Sequence, residues 1–258
     1  MKNRVLAILA IVALTLCIAP AVFADNHGNP PNIASVWIMT PKADVGPAEM
    51  EAAIKKHMAW RIEAGDPRSW QAYVVHAGSG MNRVSVRACC FNWADQDAYE
   101  KWAYDSGSYA AYQEQLGGLV GNIEHRYHVI DMENSHWDAE KEPYYYIGVT
   151  EWTPNPANIM QMQGAISEMS QLAIDKNWNY NWAWYRALGQ EDNLSLAVPY
   201  HNFAGMEPPE MSFYEFASGH MGEEAAGAMF QRFNESFWTS SYYIYRWRED
   251  LSMPRGDD

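Results

Sequence analysis

Apolar positions along this chain alternate, shift to helical spacing, alternate again, and then the whole cycle repeats. Residues 33–40 read as a strand closed by Pro41. Residues 47–64 place Met50, Ile54, His57, Met58, Arg61 and Ile62 at helical spacing, with Pro47 at the start and Gly65 past the end. Residues 70–76 and 83–91 read as strands joined by the turn 77–82. Asp95 is placed to cap a helix through Tyr99, Trp102, Tyr109 and Tyr112 towards Leu116, broken at Gly107 and ended by Gly117-Gly118. Residues 123–130 give a fourth strand.

The polar stretch from Asp131 to Pro143 reads as a linker, and after it the order returns. Residues 144–152 predict a strand. Ile159, Met162, Ile166, Met169, Ala173 and Ile174 form one face of a helix. Strands follow over 178–187 and 194–203, then a mostly helical segment over 208–238 and a last strand over 241–248. The third strands of the two cycles match best. Val84, Val86, Ala88 and Cys90 correspond to Leu194, Leu196, Val198 and Tyr200, and the residues between them are more polar. One face of each strand is therefore expected to be buried under helices. Pro199, late in an interior strand, requires a bulge or a strand end.

Two βαββαβ units in tandem match the ferredoxin-like split arrangement. Over roughly Ile33 to Arg248 the chain resembles the dimeric α/β-barrel superfamily. The stretch Phe91-Asn92-Trp93-Ala94-Asp95-Gln96-Asp97-Ala98-Tyr99, leading to Ser106-Gly107-Ser108-Tyr109, looks like the aromatic, acidic helix start and Ser-containing kink of antibiotic-biosynthesis-monooxygenase-like members. The resemblance implies an α+β fold. Units 33–132 and 144–250 would set their sheets face to face as an intramolecular pseudo-dimeric α/β barrel. It also implies two candidate activities, a cofactor-independent monooxygenase and a haem-dependent enzyme. A haem would need an axial ligand, for which His201 and His220 are the candidates.

The first residues assign a compartment. Lys2 and Arg4 precede an apolar run from Val5 to Val22, and Val22-Phe23-Ala24 offers small residues where a signal peptidase reads. The run is shorter than the roughly 20 residues a bilayer span needs, so residues 1–24 read as a secretory signal. Leu16 is too bulky for a lipidation motif at Cys17. The expected location is the Gram-negative periplasm, with release to the medium next. Removing Lys2 and Arg4 leaves 18 − 2 = 16 basic residues against 32 acidic ones, a formal charge of −16. That charge argues against nucleic acid and anionic membrane partners, and no later segment is long and apolar enough for membrane insertion. Cys89 and Cys90 are adjacent, so on a strand they would point to opposite faces as two buried thiols.

Candidate chemistry sits on the strands. With the apolar face of the third strands under helices, the barrel interior would receive Arg83, Ser85, Arg87 and Cys89 from one unit and Ser195, Ala197, Pro199 and His201 from the other. The hairpin partners would add Val74, His76, Trp182, Trp184 and Arg186. Of these, Arg87, Trp182, Trp184 and Arg186 are the candidate ligand-binding residues, and His76 and His201 the candidate general bases. Such a cavity would take a small aromatic or anionic molecule, although packing alone also explains the tryptophans. His125 and His128, three apart on a strand, would face opposite ways. No metal site and no cofactor is assigned, because the chain has no His-Glu-x-x-His, phosphate-loop, Gly-x-Ser-x-Gly or Gly-x-Gly-x-x-Gly signature. A small-molecule binder, an enzyme and an interaction protein remain as readings, in monomeric or homodimeric form.

Overall fold

The computed structural model describes residues 30–138, 141, 143–189 and 193–255. The expected signal segment 1–24 lies outside them, as do parts of the 131–143 linker and of the turn before Leu194. The elements run β1 (Ile33–Pro41), α1 (Pro47–Glu63), β2 (Gln71–Ala77), β3 (Val84–Phe91), α2 (Trp93–Asp105), α3 (Ser108–Tyr112) and β4 (Val120–His136). They continue β5 (Tyr146–Pro154), α4 (Ile159–Asp175), β6 (Trp182–Leu188), β7 (Leu194–Tyr200), α5 (Phe213–Met221), α6 (Glu223–Asn234) and β8 (Phe237–Trp247). The fold is α+β, and all eight strands pair antiparallel.

The strands close into a barrel in the order β1-β3-β2-β8-β5-β7-β6-β4. Read around the ring, β4-β1-β3-β2 is followed by β8-β5-β7-β6, which is one order used twice. Two ladders join the halves, β2 with β8 and β4 with β6. Closure leaves no edge strand with unpaired N–H and C=O groups. Helices cover the outer wall. Met50, Ile54 and Met58 of α1 pack with Met39, Val84, Val86 and Ala88, and Met162, Ile166 and Met169 of α4 pack with Trp182, Trp184 and Leu194.

Several local expectations change. β4 continues through residues 131–136, into the stretch expected to be a linker, because Asp131 pairs with Trp184 and His136 with Trp182. There the Ser135 hydroxyl accepts the Trp184 N–H, and the Asn134 carbonyl accepts the Trp182 indole. These polar residues are satisfied by the seam, so their polarity does not mark a loop. Asn92, not Asp95, precedes α2, and the Asp95 carboxylate accepts the Asn92 N–H at 2.8 Å from inside the helix. The break at Gly107 is present, with φ 74°. Pro199 sits near the end of β7, beyond the last β6 pairing at Ala197, so its missing N–H interrupts no β6 bond. Cys89 and Cys90 are neither buried nor free thiols. They are exposed and joined to each other across a cis peptide, to which ordinary strand alternation does not apply.

After β8 the chain returns over the first half. Arg248 N–H donates to the Ala72 carbonyl at 2.9 Å, and Met253 N–H to that of Trp70 at 2.8 Å. The Arg248 guanidinium grips both Glu51 oxygens at 2.6 and 2.9 Å. Leu251, 1 % exposed, and Met253 fill the core beneath α1. Leu251→Ala is expected to cost about 2–5 kcal/mol of stability, read as a lower urea midpoint at unchanged m. A loss below about 0.5 kcal/mol would show that this tail contributes no packing.

Candidate functional site

Strand alternation sends neighbouring side chains to opposite walls. The outer wall is fixed by the two helix-covered cores, so the other parity lines the lumen. That inner set includes Ser85 and Arg87 on β3, Arg126 and His128 on β4, and Glu151 on β5. Tyr185 on β6, Ser195 on β7, and Tyr243 and Tyr245 on β8 complete it. The register ties them into rows. Val36 faces Arg87 on one side and Arg126 on the other, while Ser195 lies opposite both Tyr185 and Glu151.

His128 and Tyr185 stack across the β4–β6 seam, with ring centroids 4.4 Å apart and planes 19° apart. Both are half-buried on the inner wall of the barrel. An eight-stranded barrel has room for inward side chains or one small ligand. Burial holds His128 down to a pKa of about 3, and Arg87 and Arg126 push in the same direction. The imidazole is therefore neutral. Burial drives the Tyr185 phenol well above its usual value, with Glu151 and Tyr245 adding to the effect, and Tyr245 moves likewise. Burial also raises Glu151, opposed by Arg126. Arg126 pairs with Glu124. Arg87, half-buried on the same wall, has no carboxylate partner among the described residues.

The expected site residues separate. Arg87 lies in the lumen, but Trp182, Trp184 and Arg186 have the opposite parity. Trp182 and Trp184 sit in the outer core, where the Trp184 indole donates to Ser170 on α4 at 3.1 Å. The expected interior wall was out of step by one residue on β6, and Tyr185 takes the inward place. The same slip removes Val74, which packs on the outer core of the first half. His76 leaves the β2–β8 ladder at a bulge and packs on Tyr146 and Phe203, with centroids 5.7 and 5.2 Å away. His201 is exposed beyond β7, its Nδ1 3.1 Å from the Pro143 carbonyl. His220 ends α5 exposed, its Nδ1 2.8 Å from the Phe216 carbonyl. Neither of these last two faces the enclosed apolar slot that a haem macrocycle needs, so their surroundings do not fit that group. Among the described residues no cluster of three or more metal-ligating side chains occurs, and no helix is long and apolar enough to cross a membrane.

The two strand histidines part as expected. His125 turns outward, stacked on Trp37 at 4.0 Å and 2.9 Å from the Ser35 hydroxyl. His57, 4 % exposed, lies in the first outer core between Gln115 and Arg61, each at 3.1 Å. Burial, then Arg61, lowers it to about 4.

His57 and His128 thus titrate lower when folded than the 6.5 of the free group. As pH falls below about 6.5, the unfolded chain binds protons that the folded chain refuses. Stability therefore drops from pH 6.5 towards pH 4, each group adding up to about 1.4 kcal/mol per pH unit. Urea titrations at stepped pH should show a shallower slope for the His57→Gln/His128→Gln double variant. An equal slope would mean that neither group is held neutral.

No family model and no curated protein matches the chain. Solved structures do. A provisionally named monooxygenase from Lactobacillus acidophilus NCFM superposes with TM-score 0.53 at 8 % identity, over 88 % of this chain and 97 % of its own. A second, from Fusobacterium nucleatum subsp. nucleatum, gives 0.52 at 11 % identity over 88 % and 95 %. A mutant chlorite dismutase from Candidatus Nitrospira defluvii gives 0.52 at 8 % identity over 86 % and 95 %. At these identities the likeness is one of fold, the dimeric α/β barrel.

Proposed function

We propose that this chain is an exported binding protein that holds a small anionic molecule inside its barrel, with Arg87 as the anchor. Two ferredoxin-like units, 33–132 and 144–250, act in this reading as an intramolecular pseudo-dimer, and residues 1–24 direct export to the periplasm. The observation that carries it is the unmatched guanidinium. A cation inside a barrel is costly without a counter-charge. Glu124 already serves Arg126, and Glu151, its carboxyl pushed up by burial, forms no ion pair with Arg87 among the described residues. Arg87 therefore stands without a carboxylate partner on the inner wall, among the described residues, in a chain with 32 acidic and 18 basic residues. A carboxylate or phosphate ligand would supply the missing charge, and His128 stacked on Tyr185 would give it a flat apolar wall.

A second reading, an oxygenase-like enzyme, draws on the same place. His128, held neutral beside the protonated Tyr185, could accept a hydrogen bond from a bound phenol or enol and so orient it. The fold-level likeness to provisionally named monooxygenases supports it by analogy only.

Calorimetry and thermal shift with benzoate, salicylate and inorganic phosphate test the first reading. At least one should bind saturably and raise Tm, and Arg87→Gln should weaken it about tenfold or more, or roughly 1.4 kcal/mol. Benzamide, the uncharged analogue, should bind far more weakly than benzoate. No saturable binding, or an affinity indifferent to Arg87, rules the anchor out. Oxygen consumption on a phenolic substrate, lost in His128→Gln, would instead favour the enzyme.

A further inference from the structure

A second recess opens outside the barrel, with a volume of about 530 Å3. Its wall is the segment from the end of α4 to the start of β6, where asparagine and aromatic residues alternate as Asn177-Trp178-Asn179-Tyr180-Asn181-Trp182. Residues 178–181 were expected to begin the sixth strand. Instead they form a loop, entered through Asn177 at φ 56°, and β6 starts only at Trp182.

The aromatic surfaces are held in place. Trp178 packs on Phe213 and Phe216 of α5, with centroids 5.4 and 4.8 Å away, and Tyr180 lies 5.0 Å from Trp178 with 38 % of its surface exposed. The Asn181 amide donates to the Tyr144 hydroxyl at 2.8 Å, fixing the opposite rim. The side-chain amides of Asn177 and Asn179 make no hydrogen bond among the described residues, although both line the recess. No carboxylate and no arginine lines it, and its one lysine, Lys141, is occupied by Asp138 at 3.0 Å.

We infer that this recess is a binding site for a neutral carbohydrate. A sugar ring offers an apolar C–H face for an aromatic plane and adjacent hydroxyls that both donate and accept. A primary amide, with two donors and a carbonyl oxygen, matches such a pair of hydroxyls. Apart from two histidines, His136 and His201, an anion would find no free cation here, and a cation would lack a carboxylate. A purely apolar ligand would leave the two asparagine amides unpaired, at a cost. The recess borders β6 through Trp182, on the face opposite the inward Tyr185, and reaches the end of β7 at Pro199; none of Arg87, Arg126, His128 and Tyr185 lines it.

Saturation-transfer NMR and calorimetry with maltoheptaose, cellohexaose, chitohexaose and xylohexaose on the full-length mature protein test this site. One neutral oligosaccharide should bind saturably, with the strongest transfer to ring C–H protons. Tyr180→Ala and Asn179→Ala, both at exposed positions, should each weaken it at least tenfold at unchanged Tm, while Arg87→Gln leaves it unaltered. The inference is overturned if none of the four binds at about 10 mM. It also fails if binding survives both variants, or if indole or polygalacturonate binds more tightly than every neutral sugar. Loss in Arg87→Gln would assign the binding to the lumen instead.

Discussion

Barrel closure is the constraint on which everything else here depends. Two four-stranded halves with the same strand order would each present two open edges. The β2–β8 and β4–β6 ladders pair all of them. These seams also create the inner wall, because only a closed ring has an interior. His128 on β4 and Tyr185 on β6 meet through the second seam, although 57 positions separate them in sequence. The tail after β8 reinforces the first seam, with Arg248 and Met253 bonded to β2 and its approach, and Leu251 under α1.

The same closure sorts charge. The outside of the chain carries most of a large negative balance, while the inside holds Arg87 and Arg126 with Glu124, Glu151 and a neutral His128, and only Arg87 of these cations lacks a carboxylate partner among the described residues. In a low-dielectric interior one unpaired guanidinium outweighs several solvated carboxylates at the surface, which salt screens. The lumen and the outer recess thus favour different chemistry across one strand. Inward, β6 offers Tyr185 to a charged cavity; outward, its first residue Trp182 borders a recess of aromatic rings and amides.

Much of the architecture was legible in the sequence, since period-two and period-3.6 patterns follow from which face is buried. The strand–helix–strand–strand–helix–strand order, the break at Gly107 and the buried faces of β3 and β7 all appear in the structure. The polar end of β4 was not legible, because a seam strand satisfied by Ser135 and Asn134 looks like a linker. The Cys89–Cys90 link was not either, because neighbours on a strand are expected on opposite faces.

The sequence by itself determined the order of strands and helical segments and the parity of Arg87, because burial against a neighbouring helix leaves a periodic trace along the chain. It could not determine the parity of β6. Trp182, Trp184 and Arg186 on one side and Ala183, Tyr185 and Ala187 on the other are both plausible interior sets, and a one-residue slip exchanges them. Tertiary structure decided this, because α4 and α6 bury the tryptophans and the β4–β6 register then turns Tyr185 inward. It also decided which charges meet. Arg87, the Arg126 and His128 stretch, and Glu151 lie on strands far apart along the chain and face one interior only once the ring is shut.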